Sequence, residues 1–281
     1  MRLASLMLLG GLARAWVPAS RRLSAGPNAA AAARRRRSRL RRQSLAELPG
    51  LIDLGAFDRP ALEAYVTEEL KAPKFRAKQI HEWIYDKGVH DFDAMSNLPK
   101  KFRDDLKARG ATVGGTIAKL RVEQVSQRDG TIKRAYEFRD GSVVESVLMP
   151  YEDGRRTACI SSQAGCGMGC TFCATGQMGL TRHLTAAEIF EQAARFSREL
   201  SARGERLSNV VFMGMGEPLA NYKNVMAAAR RINDELGVGA RHITISTVGL
   251  ARGIGKLAED PLQVTLAVSL HQATDAARSA I

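Results

Sequence analysis

Residues 165–173 read GCGMGCTFC and place cysteines at Cys166, Cys170 and Cys173. Cysteine thiolates are the usual protein ligands of iron–sulfur clusters. Three thiolates at C-x3-C-x2-C spacing can each bind one iron of a 4Fe–4S cubane and leave the fourth iron open for a small molecule. The spacing therefore predicts a cluster with one open position.

Two other uses of the four cysteines stay open on spacing alone. Disulfides fit poorly, because Cys170 and Cys173 lie too close in sequence to staple a fold and 281 residues suffice for a core without staples. A zinc site would need Cys159 as fourth ligand, at a C-x6-C spacing outside the usual zinc knuckles. The spacing favours the cluster over both.

The formal net charge of +13 is concentrated at the start of the chain. Residues 1–50 contain eleven arginines and a single acid, Glu47, so the rest of the chain is close to neutral. A protein without a strong overall field must make any contact with nucleic acid through local patches.

Residues 1–50 are expected to be a disordered presequence. A short apolar run over residues 1–11, too short to span a membrane, is followed by an Arg-rich, acid-poor stretch typical of organelle transit peptides. The stretch ARAWVPASRR resembles the bipartite presequences of algae with secondary plastids, which favours a plastid over a mitochondrion. The alternative is a basic arm that binds RNA.

Three patterns divide the remaining chain. Residues 51–110 have helical spacing and predict a small module whose aromatic side chains belong to its core. Residues 111–155 alternate in the manner of strands and predict a β-meander that links to the next domain, with turns at two Asp-Gly pairs. Residues 156–281 alternate strands with helices, which predicts an α/β domain with a parallel sheet.

Local signals mark the ends of elements in the α/β part. Thr185 and Glu188 predict a capping box at a helix start. A second helix is expected to run from Asn221 to a stop at Gly237, and a strand over residues 263–270 is expected further on.

Candidate ligand-binding residues follow the predicted parallel strands, whose carboxyl ends carry the active sites of parallel barrels. Gly216 and Glu217 belong to MGMGEP, where two glycines let the backbone approach a ligand and the glutamate supplies a carboxylate. Ser246 ends HITIST. Ser269, Leu270 and His271 end QVTLAVSLH, and their hydroxyl and imidazole groups suit the ribose and carboxylate of a nucleoside cofactor.

The order of motifs over residues 51–281 resembles the RlmN class of radical S-adenosylmethionine (SAM) methyltransferases. The matching segments are FRAKQIHEWIY, ESVLMP, CISSQAGCGMGCTFCATGQMGLTRHLTAAEI, VVFMGMGEPL, ITISTVGL and AVSLH. The resemblance implies a partial (βα)6 barrel and methylation of carbon 2 of adenine in large-subunit ribosomal RNA and in transfer RNA. The Cfr class, which methylates carbon 8, is the nearest alternative.

The resemblance also implies roles for single residues. Cys166, Cys170 and Cys173 would hold a 4Fe–4S cluster, with SAM on the open iron. Gly216 and Glu217 would meet the SAM amino group, and the residues after the next two strands would complete the SAM pocket.

Two further residues match functional positions of the family. Glu145, in VVESVLMP, matches the residue that accepts the ring proton, although an exposed strand glutamate is the plain alternative. Cys159 matches the resolving cysteine that frees the product. The implied partners are ribosomal RNA, tRNA and a ferredoxin- or flavodoxin-like electron donor, with no membrane for the mature form and a monomer at full length.

One departure from the family pattern concerns the cysteines. No cysteine follows Cys173, whereas the family carries its methyl-bearing cysteine near the carboxyl terminus, beyond two more strand–helix units. The expectation is a truncated product that binds a cluster without completing methyl transfer. The alternatives are another radical SAM enzyme, such as an activase or a thioether-forming maturase, and an inactive iron–sulfur or RNA-binding fragment.

Overall fold

The computed structural model of the protein describes residues 52–89, 91–113 and 115–280. The predicted presequence, residues 1–50, lies outside the described residues. The described part begins with a small helical module. Its elements are β1 (Ile52–Asp53), α1 (Arg59–Ala64), α2 (Phe75–His81), α3 (Lys100–Ala108) and β2 (Ala111–Thr112), with π-helical continuations of α1 over Tyr65–Glu69 and of α2 over Glu82–Asp86.

The aromatic residues of this module do not all belong to its core. Tyr85 and Phe92 are buried, but Trp83 is only partly buried and Phe75 is exposed. The prediction that these aromatic side chains form the core is therefore wrong for Phe75, whose position on α2 lies opposite the buried Ile80.

Four antiparallel strands follow the module: β3 (Ile117–Val125), β4 (Ile132–Phe138), β5 (Val143–Pro150) and β6 (Arg156–Cys159). The turns between the first three contain Gly130 and Gly141, at φ angles of 70° and 79°. These left-handed angles favour glycine, as the Asp-Gly pairs indicated.

A short antiparallel hairpin comes next and was not foreseen in the sequence. It pairs β7 (Gln163–Gly165) with β8 (Leu180–His183), and the loop between them contains the one-turn helix α4 (Ala174–Gln177). All three clustered cysteines lie in this loop.

The remaining elements alternate between helix and strand. They are α5 (Ala186–Ser201), β9 (Asn209–Phe212), α6 (Tyr222–Leu236), β10 (Ile243–Thr247), α7 (Ala251–Ala258), β11 (Thr265–Val268) and α8 (Asp275–Ser279). The capping box of Thr185 and Glu188 is present at the start of α5, and Gly237 ends α6 at a φ of 68°, so both predictions are confirmed. Strand β11 is shorter than the predicted 263–270.

The strands form one mixed sheet in the order β11-β10-β9-β6-β5-β4-β3. Strands β6, β9, β10 and β11 are parallel, while β6 is antiparallel to β5. The three strands before β6 thus extend the parallel sheet. The predicted α/β class is confirmed.

Helix α5 covers one face of this sheet. Ser146 on β5 donates a hydrogen bond to Gln192 of α5 at 2.7 Å, and Arg134 on β4 pairs with Glu199 of the same helix. Because side chains alternate along a strand, Glu145 and Cys159 lie on the other face.

A buried polar cluster joins the helical module to α6. His81 Nε2 lies 2.8 Å from Glu235 Oε2, with both side chains at most 5% exposed. Arg231 Nε donates to Glu235 Oε1 at 2.9 Å, and its Nη2 donates to the Tyr85 hydroxyl at 3.0 Å. This cluster ties α2 to the α/β part through charged groups.

Among the helices that the structure describes, none is both long and apolar enough to cross a membrane.

Candidate radical SAM site

The cysteine loop is a closed turn at the tip of the β7–β8 hairpin. The Cys166 amide donates to the Gly179 carbonyl at 3.1 Å, and the Cys173 amide donates to the Cys170 carbonyl at 3.1 Å. Cys166 is buried and the other two are partly exposed, and all three are free thiols. The hairpin therefore presents three available thiols on one short loop.

Glycines make this loop possible. A Cβ atom at Gly165 would lie 1.9 Å from the Gly179 carbonyl oxygen, and one at Gly176 would lie 3.0 Å from the backbone N and O of Cys170. Side chains there would push the loop open.

The side chains of the cysteine loop fit the expected iron–sulfur cluster. Residues 166–179 contain three thiols and no charged side chain, which suits soft metals better than hard cations. Within the described residues, no three His, Cys, Asp or Glu side chains surround a single ion. The thiols that bind a 4Fe–4S cubane lie further apart than the ligands of a single metal ion, because each thiolate binds a different iron.

Electrostatics link this loop to Glu217. Burial raises the pKa of the Cys166 thiol, a hydrogen bond from the Met168 backbone opposes this, and the charges of Cys173, Cys170 and Glu217 raise it further.

Glu217 is 3% exposed and already has partners. Its Oε1 accepts from the Leu219 amide at 3.0 Å, and its Oε2 accepts from the Val248 amide at 2.9 Å. A carboxylate oxygen has more than one acceptor position, so both oxygens can still accept a donor from a ligand. The structure thus gives Glu217 a role in joining strand ends, and its contact with SAM stays a prediction.

The glycines of MGMGEP meet the protein's own chain. A Cβ at Gly214 would lie 2.7 Å from Ser161 Oγ, and one at Gly216, where φ is 103°, would lie 2.5 Å from Gln163 Cβ. The glycines therefore let the loop after β9 pack closely against residues 160–163, and their approach to a ligand stays a prediction.

Ser246 near the end of β10 and Ser269 after β11 lie close together, and His271 contacts the cysteine loop. Ser246 Oγ and Ser269 Oγ are 3.2 Å apart. The His271 ring centroid lies 4.6 Å from that of Phe172, between Cys170 and Cys173 in the sequence, and His271 has a left-handed φ of 57°. Leu270 is exposed, and its carbonyl accepts from Arg278 at 2.7 Å.

Glu145 and Cys159 lie on the face of the sheet opposite α5. Cys159 aligns with Val147, two residues from Glu145 on β5, so their side chains are diagonal neighbours at about 7–8 Å. The Glu145 carboxylate lies 2.8 Å from Lys133 Nζ. Burial raises the pKa of Cys159 to about 12, against a hydrogen bond from the Met213 backbone, so it is a protonated thiol at neutral pH.

Three residues that sequence reasoning missed hold these parts together. Ser161 Oγ donates to the Glu145 carbonyl at 2.5 Å and accepts from the Met215 amide at 2.9 Å. Gln163 accepts from the Glu217 amide and contacts His183 through its side-chain nitrogen. Asn221 donates to the carbonyls of Ser162 and Leu184. Single polar residues give no spacing signal, so the sequence did not reveal them.

The fold and the cysteine loop after the first parallel strand together define a radical SAM protein, and the other predicted SAM-binding residues lie at or near the carboxyl ends of the next three strands. Sequence profiles agree: the radical SAM superfamily matches residues 160–281, and the ribosomal RNA large subunit methyltransferase N-terminal domain of the RlmN type matches residues 52–111. The chain belongs to the RlmN family. Radical SAM proteins use a 4Fe–4S cluster and SAM, so the cofactors expected for the family are confirmed.

Curated relatives carry consistent names. The probable dual-specificity RNA methyltransferase RlmN of Symbiobacterium thermophilum is 50% identical over 212 residues, covering 75% of this chain and 56% of its own. The protein of the same name from Salinibacter ruber is 44% identical over 238 residues, covering 82% and 63%. This chain therefore spans about three-fifths of the length of such relatives.

A solved structure shows the same fold. The crystal structure of a radical SAM methyltransferase from Sphaerobacter thermophilus matches with a TM-score of 0.73 and 44% identity, covering 82% of this chain and 66% of that one.

Proposed function

We propose that this chain provides the cluster- and SAM-binding part of an RNA methyltransferase that acts on carbon 2 of adenine in ribosomal RNA and tRNA. The observation that carries the proposal is the cysteine loop, whose three free thiols flank Phe172, the ring that contacts His271 after β11. The relatives named as dual-specificity RNA methyltransferases support the substrate class.

The proposed roles of the site residues follow from where they lie in the fold. A 4Fe–4S cluster with bound SAM supplies the radical chemistry needed to methylate a ring carbon that is not nucleophilic. Cys166, Cys170 and Cys173 would hold the cluster. On the face of the sheet opposite α5, the carboxylate of Glu145 would accept the ring proton, and Cys159 would keep its proton until it acts as the resolving thiol.

Other functions are less well supported. The carbon-8 methyltransferases of the Cfr class share the core motifs, but the matching amino-terminal profile and the relatives carry the RlmN name. The same module argues against an activase or a maturase. An inactive iron–sulfur or RNA-binding fragment is the remaining alternative, and an assay for methylated adenosine distinguishes it from the enzyme.

Anaerobic reconstitution with iron and sulfide tests the cluster assignment. The wild-type chain is expected to hold about four irons per molecule, and the triple Cys166→Ala, Cys170→Ala, Cys173→Ala variant is expected to hold almost none. Iron and sulfide analysis with electron paramagnetic resonance of the reduced protein gives the measurement.

Cys159→Ala is the matched control, because it removes the fourth cysteine without touching the loop. It should retain the cluster. Loss of iron in Cys159→Ala, or retention of iron in the triple variant, would refute the ligand set.

We further propose that residues 1–50 direct the protein to an organelle, a plastid before a mitochondrion. The support is the Arg-rich, acid-poor composition after an apolar start. A fluorescent protein fused behind these residues should enter plastids of an alga with secondary plastids. A fusion that stays in the cytosol would favour the RNA-binding arm.

A ferredoxin- or flavodoxin-like protein is proposed as the electron donor, and a monomer as the state of the protein at the family's full length. The donor follows from the need to reduce the cluster before each turnover. Reduced ferredoxin should bleach the visible absorption of the reconstituted protein, and failure of both donors would remove this proposal.

A further inference from the structure

Phe75 is the one large hydrophobic side chain in the described part of residues 52–113 that is exposed, with 54% of its surface in solvent. It is the first residue of α2, whose core side includes the buried Ala77 and Ile80. At 100° per residue, Phe75 lies on the side of the helix away from Ile80. Packing within the fold therefore does not explain why a phenylalanine occupies this position.

Arg76 covers one side of the Phe75 ring. Its guanidinium carbon lies 4.7 Å from the ring centroid. Nη1 of Arg76 also donates to Gln79 Oε1 at 2.7 Å and to the Asn97 carbonyl at 3.2 Å, which fixes the guanidinium in place. The solvent-exposed part of the ring is free for a second stacking partner.

A second aromatic–cation pair lies two turns further along the helix. Lys87 Nζ is 3.6 Å from the centroid of the Trp83 ring, and Trp83 Nε1 donates to Asn97 Oδ1 at 2.5 Å. Asn97 therefore connects both pairs. We call this set the aromatic strip: Phe75, Arg76, Gln79, Trp83, Lys87 and Asn97.

Exposed lysines flank Phe75. Lys71 is exposed, and the side chains of Lys74 and Lys78 are 71% and 80% exposed. Lys74 contacts Glu63 at 2.9 Å, and Lys78 lies 3.8 Å from Glu82, but surface ion pairs of this kind are weak. Both amines are available to a polyanion.

We propose that the aromatic strip binds an unpaired nucleobase of the RNA substrate by stacking on Phe75, while the flanking lysines contact the adjacent phosphates. Proteins recognise unpaired RNA by stacking bases on aromatic rings and guanidinium planes, and a base inside a duplex is not accessible for this. A single exposed ring among four cations suits a polyanion better than an apolar protein surface. The proposal rests on the proposed RNA methyltransferase function.

The test measures binding of the full chain to a fluorescein-labelled single-stranded 12-nucleotide RNA and to a 12-base-pair duplex, by anisotropy at two salt concentrations. Phe75→Leu keeps the apolar bulk but removes the π face, and should weaken single-strand binding about tenfold, the size of one lost stacking contact. Phe75→Tyr should restore it. The slope of log affinity against log salt should not change, because no phosphate contact is lost.

Tyr151→Leu is the matched control. Tyr151 is 41% exposed and also carries a stacked arginine, with Arg155 at 4.5 Å, but it lies outside the strip. It should bind RNA as the wild type does. Residues 1–50 are the same in every variant, so their contribution cancels.

Trp83 fluorescence in a Trp16→Phe background gives a second measurement, because these are the two tryptophans of the chain. Bound RNA should quench Trp83 in the wild type and much less in Phe75→Leu. Two results would show that the aromatic strip is not a base-stacking site: Phe75→Leu binds single strands as the wild type does, or it loses single-strand and duplex binding equally. The strip would then be assigned to contact with a protein. The methyltransferase proposal would survive that result, whereas failure of the wild-type chain to bind any RNA would remove both.

Discussion

Glu217 joins the ends of two parallel strands, and it is also the residue predicted to meet the amino group of SAM. Its carboxylate accepts two backbone amides, from Leu219 and Val248, in a nearly solvent-free position. A buried amide without an acceptor costs about 1–3 kcal/mol. Any loss of SAM binding in a variant must therefore be separated from loss of folding.

Two substitutions make this separation. Glu217→Ala removes both acceptors and should lower the free energy of unfolding by about 1–3 kcal/mol for the buried Leu219 amide, and by less for the partly buried Val248 amide, which water can reach. Glu217→Gln keeps one acceptor oxygen and should lower it less. If the carboxylate also pairs with the SAM ammonium, Glu217→Gln should still weaken SAM binding by about 1.5–3 kcal/mol.

Urea unfolding and calorimetric titration of SAM into the reconstituted protein give the two quantities. Unchanged SAM affinity in a folded Glu217→Gln variant would leave this residue with a structural role alone.

At the residue scale, the sequence predicted what spacing encodes. The three cysteines of the loop could be predicted as cluster ligands without a structure, because their spacing within eight residues is typical of such ligands. The hydrogen bonds of the Gln163 and Asn221 side chains could not be predicted, because a single amide side chain forms no recognisable pattern in a sequence. Phe75 was misassigned because a large apolar residue is usually buried, and its orientation depends on where α2 begins.

At the scale of elements, the contact between α2 and α6 depends on the buried group of His81, Arg231 and Glu235. Burial would raise the pKa of Glu235, but hydrogen bonds from His81 and Arg231, with the charge of Arg231, hold it below its usual value. A carboxyl group with a lowered pKa in the folded state stabilises the fold at neutral pH. That contribution is lost as the pH falls through the folded pKa.

Glu235→Gln should lower the free energy of unfolding by about 3–5 kcal/mol at pH 7, because Arg231 is left as a buried charge without its partner. The difference from the wild type should shrink on acidification below pH 4. Urea unfolding over this pH range measures it.

Glu82→Gln is the control, since its pair with Lys78 is exposed and worth about 0–1 kcal/mol. Equal pH dependence of stability in the wild type and in Glu235→Gln would show that this group does not set the acid response.

Elements were predicted to different extents. Helices α5 and α6 carry explicit start and stop signals, at Thr185 and Gly237, and appeared where expected. The β7–β8 hairpin did not, because its strands of three and four residues are shaped by Gly165 and by contacts with the loop after β9. Its existence depends on tertiary packing, which local patterns do not encode.

At the scale of the whole molecule, the 281 residues contain the parts expected to bind the cluster and SAM, but no cysteine after Cys173. If the loop thiols hold the cluster and Cys159 is the resolving thiol, these 281 residues supply no further thiol that could carry a methyl group. The chain alone is therefore expected to leave RNA unmethylated.

A fusion of this chain to the remaining carboxyl-terminal part of the Symbiobacterium thermophilum relative should form 2-methyladenosine on ribosomal RNA. Mass spectrometry of nucleosides from RNA treated with each protein gives the comparison. The same fusion with Cys159→Ala should lose product release. Methylation by the 281 residues alone would overturn the cysteine assignment, and 8-methyladenosine would favour the Cfr class.

The junction at β6 has a consequence for the order in which the sheet assembles. Strands β3 to β6 pair with their neighbours in sequence across short turns, whereas β6 must find β9 across an intervening hairpin and helix, as the pairing of Thr157 with Asn209 shows. Strand pairs that are close in sequence lose little entropy on loop closure and form early, whereas pairs that are distant in sequence form late. A chain leaving the ribosome would thus present β6 with one edge already paired and the other as a template, onto which β9, β10 and β11 add in turn.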